Sequence, residues 1–245
     1  MLTIQKLHKA YQSQTVLDQI SLELPQGQIL AILGRSGCGK TTLLKAVAGL
    51  LSPDAGAVSW SGTSMDTVPP REREMVYLFQ EPLLFPHLTV FENLAYGLRV
   101  RKETEQEIQQ KVGEMLEELE LQEHAQKKPN QLSGGQRQRV AFGRAIIFTP
   151  RVLLLDEPFA SLDAQTRATM QALFLRLVKK FNISALFVTH DVKEALLVGD
   201  SFAYMAAGKL QVYTSSEAFM GDPKTGVSDE LTFWNKIEQK IKYQS

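Results

Sequence analysis

The chain has 245 residues, of which 44% are hydrophobic and 22% are charged, an ordinary globular composition with enough core for one large domain or two small ones. Lysine plus arginine and aspartate plus glutamate number 27 each, so net charge gives nucleic acid no overall attraction to this protein. The single cysteine indicates a reducing compartment, while apolar stretches well short of the roughly 20 residues of a spanning helix and the lack of a signal-peptide pattern predict no membrane insertion.

Apolar runs bounded by turn residues predict a series of strands along the chain. The predicted strands cover residues 2–5, 21–24, 28–33, 57–60, 75–79, 152–156 and 185–190. Helical spacing of apolar residues predicts helices over residues 42–49, about 102–126, 138–148 and 166–181. Because strands and helices alternate, we expect an α/β domain with a mainly parallel sheet, interrupted by a largely helical insertion of roughly residues 86–145.

A glycine-rich loop follows the third predicted strand, and residues 34–41 read Gly-Arg-Ser-Gly-Cys-Gly-Lys-Thr. Its glycines allow successive amides to turn inward, and a helix N-terminus follows, so the loop is suited to phosphate binding. Lys40 is placed to reach the β- and γ-phosphates of a nucleotide, and the Thr41 hydroxyl to ligate Mg²⁺. The predicted nucleotide contacts of this loop are Gly34, Arg35, Ser36, Gly37, Cys38, Gly39, Lys40, Thr41 and Thr42.

A second glycine element, Leu-Ser-Gly-Gly-Gln at residues 132–136, precedes the helix predicted over 138–148. A hydroxyl at Ser133 and unencumbered amides at Gly134 and Gly135 form an anion-binding pattern at a helix start. The first glycine element indicates that the protein binds a nucleotide. This second element limits the classes of nucleotide-dependent protein to which the chain can belong.

Carboxylates and a histidine stand at the ends of two predicted buried strands. Asp156 and Glu157 close one strand, so that Asp156 can hold Mg²⁺ while Glu157 orients or deprotonates a water molecule. His190 closes another strand and is followed by Asp191. Structural roles for Glu157 and His190 are the alternative interpretation.

These motifs occur in the order found in ATP-binding cassette subunits, and roughly residues 1–215 resemble that family. Residues 34–41 match its phosphate loop, residues 132–136 match its signature sequence without departure, and residues 152–157 match its second nucleotide motif. The remaining matches are Gln80 for the Q-loop, residues 161–163 for the D-loop, His190 for the switch histidine, Tyr11 for the aromatic that stacks on adenine, and Val16 for a further nucleotide contact. An ordinary strand or turn aromatic is the alternative for Tyr11.

The resemblance implies ATP hydrolysis with Mg²⁺, by two cassettes that pair head to tail and sandwich two ATP molecules. In that arrangement the signature residues of one cassette face the phosphates held by the other. The roles implied are phosphate contact for Ser133, Gly134, Gly135 and Gln136, metal binding for Thr41, Gln80 and Asp156, general base for Glu157, γ-phosphate and water contact for His190, and communication across the dimer for Asp163.

Residues 68–73 and 79–93 are similar to bacterial importer subunits, most closely those serving polyamines, ferric iron, sulfate, molybdate and maltose-type sugars. The resemblance therefore implies a second copy or a related cassette, transmembrane permease subunits and an extracytoplasmic solute-binding protein as partners, with no nucleic acid. It places the chain peripherally on the cytoplasmic face of the inner membrane. An exporter or lipid-handling ATPase is the first alternative, and a soluble, non-transport cassette acting on ribosomes or DNA is the second.

We therefore expect one P-loop ATPase domain over residues 1–245, with a mainly parallel core sheet, an N-terminal antiparallel β-subdomain and an inserted helical subdomain at about 86–145. Many importer subunits continue into a regulatory β-domain, whereas this sequence ends about 37 residues after Gly208. In the tail of about 215–245, we expect the apolar residues to pack on the core rather than contact a partner; these are Phe219, Phe233, Trp234 and Ile237. Gly143, where the family favours alanine, is expected to loosen its helix slightly.

Overall fold

The computed structural model describes residues 1–79 and 81–242, which form two sheets and eight α-helices. The strands are β1 (Leu2–Tyr11), β2 (Gln14–Leu24), β3 (Ile29–Leu33), β4 (Ala55–Trp60), β5 (Thr63–Ser64), β6 (Met75–Leu78), β7 (Val152–Asp156), β8 (Ser184–Thr189), β9 (Ser201–Ala206) and β10 (Lys209–Val212). The helices are α1 (Lys40–Val47), α2 (Val90–Val100), α3 (Glu105–Glu118), α4 (Gly134–Ile146), α5 (Ala164–Lys180), α6 (Val192–Val198), α7 (Ser216–Gly221) and α8 (Val227–Lys242).

The core sheet has the strand order β10-β9-β3-β8-β7-β6, and the separate antiparallel sheet has the order β2-β1-β4-β5. Every neighbouring pair in the core sheet is parallel except β9 and β10. The carboxyl ends of parallel strands lie at the same edge of a sheet. The residues that follow β3, β7 and β8 therefore lie at one edge of the core sheet. The predicted fold class is confirmed.

Both faces of the core sheet are buried, as the continuous apolar runs predict. Along β7, Leu153 and Leu155 pack into a cluster with helices α2 to α5, whereas Val152 and Leu154 pack into a second cluster with α1 and the antiparallel sheet. This alternation is the two-residue period of a strand, so each face of the sheet supports a different layer. In the described residues 1–79 and 81–242, no helix has the length and apolar character needed to cross a bilayer.

The first two strands are longer than the sequence predicts, because bulges hide part of their pattern. Lys6 and Gln19 adopt positive φ angles of 48° and 51°, and the pairing register of β1 shifts near these positions. A bulge breaks the alternation of apolar and polar residues without ending the strand. The predicted strands 2–5 and 21–24 are therefore the outer ends of β1 and β2.

The helix predicted over 102–126 is shorter, since α3 ends at Glu118. Glu120 has a φ of 56°, and the Leu121 amide donates to the Leu116 carbonyl over 2.9 Å. This bond pattern with a left-handed residue ends a helix, and here it brings buried Leu119 and Leu121 onto the helical layer. The amphipathic pattern continues past the helix because these residues still face the core.

The prediction for the C-terminal tail is correct for Phe219 and wrong for two other aromatics. Phe219 is fully buried in a third cluster with Leu33 of β3 and Val192 of α6. Phe233 and Trp234, on α8, remain 56% and 41% exposed. The Lys193 Nζ lies 3.1 Å from the centre of the Trp234 ring, a cation–π contact that holds α8 beside α6. Ile237 is half-buried.

Gly143 has a packing reason in this structure. A Cβ at this position would press on Leu119 and would lie 2.9 Å from Leu94 Cδ2. Both leucines are fully buried, so α2, α3 and α4 meet closely at the glycine. The helix around it, α4, runs unbroken from Gly134 to Ile146, so the expected loosening is not seen in its hydrogen bonding.

Candidate nucleotide-binding site

The loop between β3 and α1 lines a cavity of about 340 Å³ at the edge of the core sheet where β7 ends. The sequence predicts every residue that lines it. These residues are Val16, Ser36, Gly37, Gly39, Lys40, Thr41, Thr42, Asp156 and Glu157. The fold therefore joins the phosphate loop to the acidic pair that lies more than a hundred residues further along the chain.

Glycine is required in this loop for two separate reasons. Gly37 has a φ of 81° with no atom of the described residues within 4 Å of a Cβ there, so its conformation alone would strain a side chain. Gly39 has a φ of 113°, and a Cβ there would lie 2.6 Å from the Val16 carbonyl oxygen. Gly39 caps α1 directly, so the free amides of the first helical turn open toward the cavity.

Lys40 is folded back over its own loop, with only 5% of its surface exposed. Its Nζ donates to the carbonyl oxygens of Gly34, over 2.7 Å, and Arg35, over 3.2 Å. The same Nζ lies 3.3 Å from Glu157 Oε1. The ammonium group is therefore fixed at the mouth of the amide nest, where it can bind an anion.

Glu157 connects Lys40 to His190. His190 Nδ1 lies 2.8 Å from Glu157 Oε2, a distance that fits an Nδ1–H group donating to a carboxylate oxygen. The Glu157 backbone has a φ of 48°, an uncommon conformation that turns the chain away from β7. His190 is 53% exposed, so this chain of contacts is open to a ligand.

Asp156 points to a different partner from its neighbour. The Tyr77 hydroxyl on adjacent β6 donates to Asp156 Oδ2 over 2.6 Å, while burial and this bond raise the pKa of Tyr77. Asp156 and exposed Thr41 line the same cavity. One carboxylate, one hydroxyl and phosphate oxygens are hard donors of the kind Mg²⁺ takes, so these residues fit the predicted metal.

The signature residues lie apart from the phosphate loop. Ser133 caps α4, where its hydroxyl oxygen accepts from the Gln136 amide over 3.2 Å and the Gln136 side chain accepts from the Ser133 amide over 2.9 Å. Among residues 1–79 and 81–242, the Ser133 hydroxyl donates no hydrogen bond, and the amides of Gly134 and Gly135 stand in the first turn of α4, where an amide has no partner within the helix. Ser133, Gly135 and Gln136 line their own cavity of about 320 Å³, which shares no residue with that of the phosphate loop.

The other predicted residues are placed as follows. Tyr11 ends β1 with 49% of its surface exposed and does not line the phosphate-loop cavity. Cys38 is half-buried, and burial raises the pKa of its thiol. Asp163 caps α5 by accepting from the amides of Gln165 and Thr166, and hydrogen bonds from Thr166 lower its pKa. Gln80 lies outside the described residues.

Two residues of the site escape the sequence prediction. Tyr77 orients Asp156, but nothing in the sequence reveals that β6 and β7 are neighbours. Gln138 is fully buried, and its side-chain amide donates to the Pro158 carbonyl over 2.9 Å, which ties the signature helix to the residue after Glu157. A glutamine on the apolar face of a helix was the available signal.

Fold and site together define a P-loop nucleotide-binding protein: an amide nest, a lysine and an acidic pair at the edge of a parallel sheet. Known proteins narrow this class. Residues 17–160 match the family model described as ABC transporter. The chain therefore belongs to the ABC transporter family, of which it is an ATP-binding ATPase domain.

Individual relatives agree with this assignment. The chain is 44% identical to the sulfate/thiosulfate import ATP-binding protein CysA of Burkholderia mallei, over 98% of this chain and 70% of that protein. It is 42% identical to the spermidine/putrescine import ATP-binding protein PotA of Fusobacterium nucleatum, over 98% of this chain and 64% of that protein. A dimeric post-hydrolysis structure of the ATP-binding cassette MJ0796, bound to ADP and Pi, superimposes with a TM-score of 0.75 at 29% identity, covering 86% of this chain and 97% of that one.

Proposed function

We propose that this chain is the ATP-hydrolysing subunit that energises an importer of a small solute through a separate membrane permease. The observation that carries the proposal is the chain of contacts from Lys40 through Glu157 to His190, beside a phosphate-binding nest. The import function of relatives that share 42% to 44% identity with nearly the whole chain supports the importer type.

ATP binding is assigned to the phosphate loop and its neighbours. The amides of the loop and Lys40 hold the phosphates, and Val16 of β2 lines the same cavity. Tyr11, which ends β1 outside that cavity, is retained as a proposed contact for adenine. Thr41 and Asp156 would hold Mg²⁺, which supplies neutralisation of phosphate charge when bound. Gln80 is retained as a proposed third contact.

Hydrolysis is assigned to Glu157 as the general base. Its carboxylate is already held by the ammonium of Lys40 and the ring of His190. Lys40 exchanges the carboxylate for phosphate when the nucleotide binds, since both compete for the same ammonium. Glu157 is then free to accept a proton from water. His190 Nε2 would lie beside the γ-phosphate and orient that water molecule.

A second copy, or a related cassette, is proposed to complete the site. Ser133 and Lys40 of one chain line two cavities that share no residue, which supports a site completed by a second copy. Head-to-tail pairing brings the Ser133 hydroxyl and the adjacent amides of one copy to the phosphates of the other. Asp163 would carry information across that interface. The dimeric state of the MJ0796 structure supports this arrangement.

The relatives do not identify the solute of this chain, because the solutes in their names differ in charge. CysA is named for sulfate and thiosulfate, which are anions, and PotA for spermidine and putrescine, which are cations at neutral pH. Similar ATP-binding subunits therefore serve solutes of opposite charge, and the permease and an extracytoplasmic solute-binding protein would choose the cargo. The chain would work peripherally on the cytoplasmic face of the inner membrane.

The proposal is tested by purifying the tagged full chain, at native expression level, in mild detergent and identifying its partners by mass spectrometry. We expect a polytopic permease and a solute-binding protein. Proteoliposomes of the recovered complex should take up solute on addition of ATP, and those with the Glu157→Gln chain should not. Outward transport would favour the exporter alternative, and recovery of ribosomal or DNA-bound proteins alone would favour the non-transport alternative.

A further inference from the structure

Arg167 lies at the start of α5, four residues after Asp163, and its side chain reaches back toward the preceding segment. Its Nη2 donates to the Leu162 carbonyl over 3.0 Å, and its backbone amide donates to the Asp163 carbonyl over 2.9 Å. The arginine side chain therefore holds the backbone of Leu162, within residues 161–163, the segment proposed to communicate across the dimer.

The same guanidinium faces two carboxylates on the segment that contains His190. Arg167 Nη1 lies 3.7 Å from Asp191 Oδ2, and Arg167 Nε lies 3.8 Å from Glu194 Oε1. Both separations exceed a hydrogen bond, and within residues 1–79 and 81–242 the buried Nε has no hydrogen-bond partner. The arginine is thus bonded to one segment and stands just short of the other.

Both carboxylates are close to the backbone of His190: Asp191 follows it directly in the chain, and Glu194 is bonded to Thr189, which precedes it. Glu194 is only 4% exposed and accepts from the Thr189 hydroxyl over 2.8 Å. The Thr189 hydroxyl oxygen in turn accepts from the Asp191 amide over 3.0 Å. Gln171, one turn beyond Arg167 on α5, faces Glu194 Oε1 at 3.4 Å. A shift of either carboxylate would therefore move the backbone that carries His190.

We propose that Arg167 is a positioning residue that links residues 161–163 to His190, so that contact with the second copy is transmitted to the histidine. The inference rests on the proposed function. A planar guanidinium offers donors in a fixed fork, so it can bind the Leu162 carbonyl and a carboxylate at once. A displacement of about 1 Å would bring either carboxylate within hydrogen-bond distance.

A purely structural role for Arg167, as a brace of the start of α5, predicts a different result. Loss of a brace lowers stability and disturbs binding and turnover together. Loss of a link between residues 161–163 and His190 lowers turnover and the cooperativity between the two ATP sites. Nucleotide affinity is retained, because Arg167 lines no part of the phosphate-loop cavity.

The test compares Arg167→Gln, Arg167→Lys and the control Arg176→Gln in the full chain. Arg176 lies on the same helix and pairs with Glu118 of α3. The measurements are kcat, KM and the Hill coefficient for ATP, with nucleotide affinity and melting temperature determined separately. For Arg167→Gln we expect kcat to fall about tenfold and the Hill coefficient to approach 1, with nucleotide affinity within about twofold of the wild type. Arg167→Lys should recover part of the loss, and Arg176→Gln should resemble the wild type.

A kcat unchanged in Arg167→Gln, or a loss equalled by Arg176→Gln, would overturn the link while leaving ATP hydrolysis intact. A wild-type chain without ATPase activity would instead overturn the proposed function and this inference with it. Where Arg167→Gln fails to fold, Arg167→Lys and Glu194→Gln carry the test through a double-mutant cycle. Non-additive effects on kcat support the link, and strictly additive effects contradict it.

Discussion

Glu157 lies between two nitrogen groups at the edge of the core sheet, with Lys40 at one carboxylate oxygen and His190 at the other. The negative charge at this position therefore has two effects. Under the proposed function, it makes the residue the base for water, and it competes with the nucleotide phosphates for the ammonium of Lys40.

Replacing Glu157 by glutamine separates these two effects. Glutamine has the same shape but no charge, so it cannot accept a proton and should lower kcat by about 10²- to 10⁴-fold. ATP affinity should be retained or tightened, because the competing charge is gone. Single-turnover hydrolysis and equilibrium binding of a fluorescent ATP analogue measure the two quantities. Glu117→Gln, on the exposed face of α3, is the control. Near-normal hydrolysis in Glu157→Gln would remove this residue as the base.

Lys40→Ala should abolish tight ATP binding. Loss of charge-assisted hydrogen bonds to phosphate costs about 1.5–3 kcal/mol, or about a 10- to 150-fold weaker affinity. Isothermal calorimetry with ATP gives the affinity, and Lys45→Ala, an exposed lysine in the last turn of the same helix, controls for helix effects. Equal affinity in the Lys40 and Lys45 variants would contradict the assignment of the phosphate loop.

At the scale of the element, two helical glycines show how packing can outweigh helix propensity. No atom of the described residues would lie within 4 Å of a Cβ at Gly113 of α3, so Gly113→Ala should stabilise the fold by up to about 1 kcal/mol. The same change at Gly143 of α4 meets two buried leucines, and overpacking of about 1–3 kcal/mol should cancel or exceed the gain. Urea denaturation should show a higher free energy of unfolding for Gly113→Ala, and an unchanged or lower one for Gly143→Ala. A Gly143→Ala variant as stabilised as Gly113→Ala would show that the three helices can separate at little cost.

The tail offers a second contrast, between a buried and an exposed phenylalanine. Phe219 packs between Phe202 and Tyr213, so Phe219→Ala should cost about 3–5 kcal/mol. Phe233→Ala, on the exposed side of α8, should change the free energy of unfolding by no more than about 0.5 kcal/mol. Thermal melting of the isolated chain compares them. Similar losses for both would mean that Phe233 is covered in solution.

The contrast also shows what the sequence reveals about an element. Local patterns predict both the signature helix and the strand that precedes the phosphate loop. In each case, residues adjacent in the sequence show the apolar run or the glycines that determine the structure. The exposure of Phe233 depends on which distant residues pack beside it. The left-handed turn at Glu120 and the bulge at Lys6 depend on positive φ angles, which the identity of a non-glycine residue does not predict. Aromatic character alone therefore overestimates burial in the tail.

At the scale of the whole molecule, the separation of the two cavities predicts complementation between defective chains. Ser133→Asp keeps a good helix cap but places a negative charge where the proposal puts phosphate, and Lys40→Ala removes the proposed phosphate ligand. Each variant alone should be nearly inactive. In a mixed dimer, one site combines the intact Lys40 of one chain with the intact Ser133 of the other. An equal mixture should therefore recover about a quarter of wild-type ATPase activity if one intact site suffices. Full activity of the Ser133→Asp chain alone would contradict a shared site.

The candidate site shows the same division between local and distant information. All residues that line the phosphate-loop cavity are predicted from the sequence, since the loop, the strand ends and the family order coincide. The sequence reveals neither the Tyr77 contact with Asp156 nor the Gln138 contact with Pro158, because each joins residues brought together only by the fold. The chemistry of the site is thus local, while the contacts that orient it are tertiary.

The contact between Lys193 and Trp234 gives the chain a built-in optical reporter. The chain has two tryptophans, and Trp60 is buried in the antiparallel sheet, far along the chain from His190. Trp234 sits under the ammonium of Lys193, three residues after His190, and its indole is reached by solvent. In a Trp60→Phe chain, indole fluorescence and its quenching by iodide would therefore register movement of the segment after His190, in real time and without an attached dye.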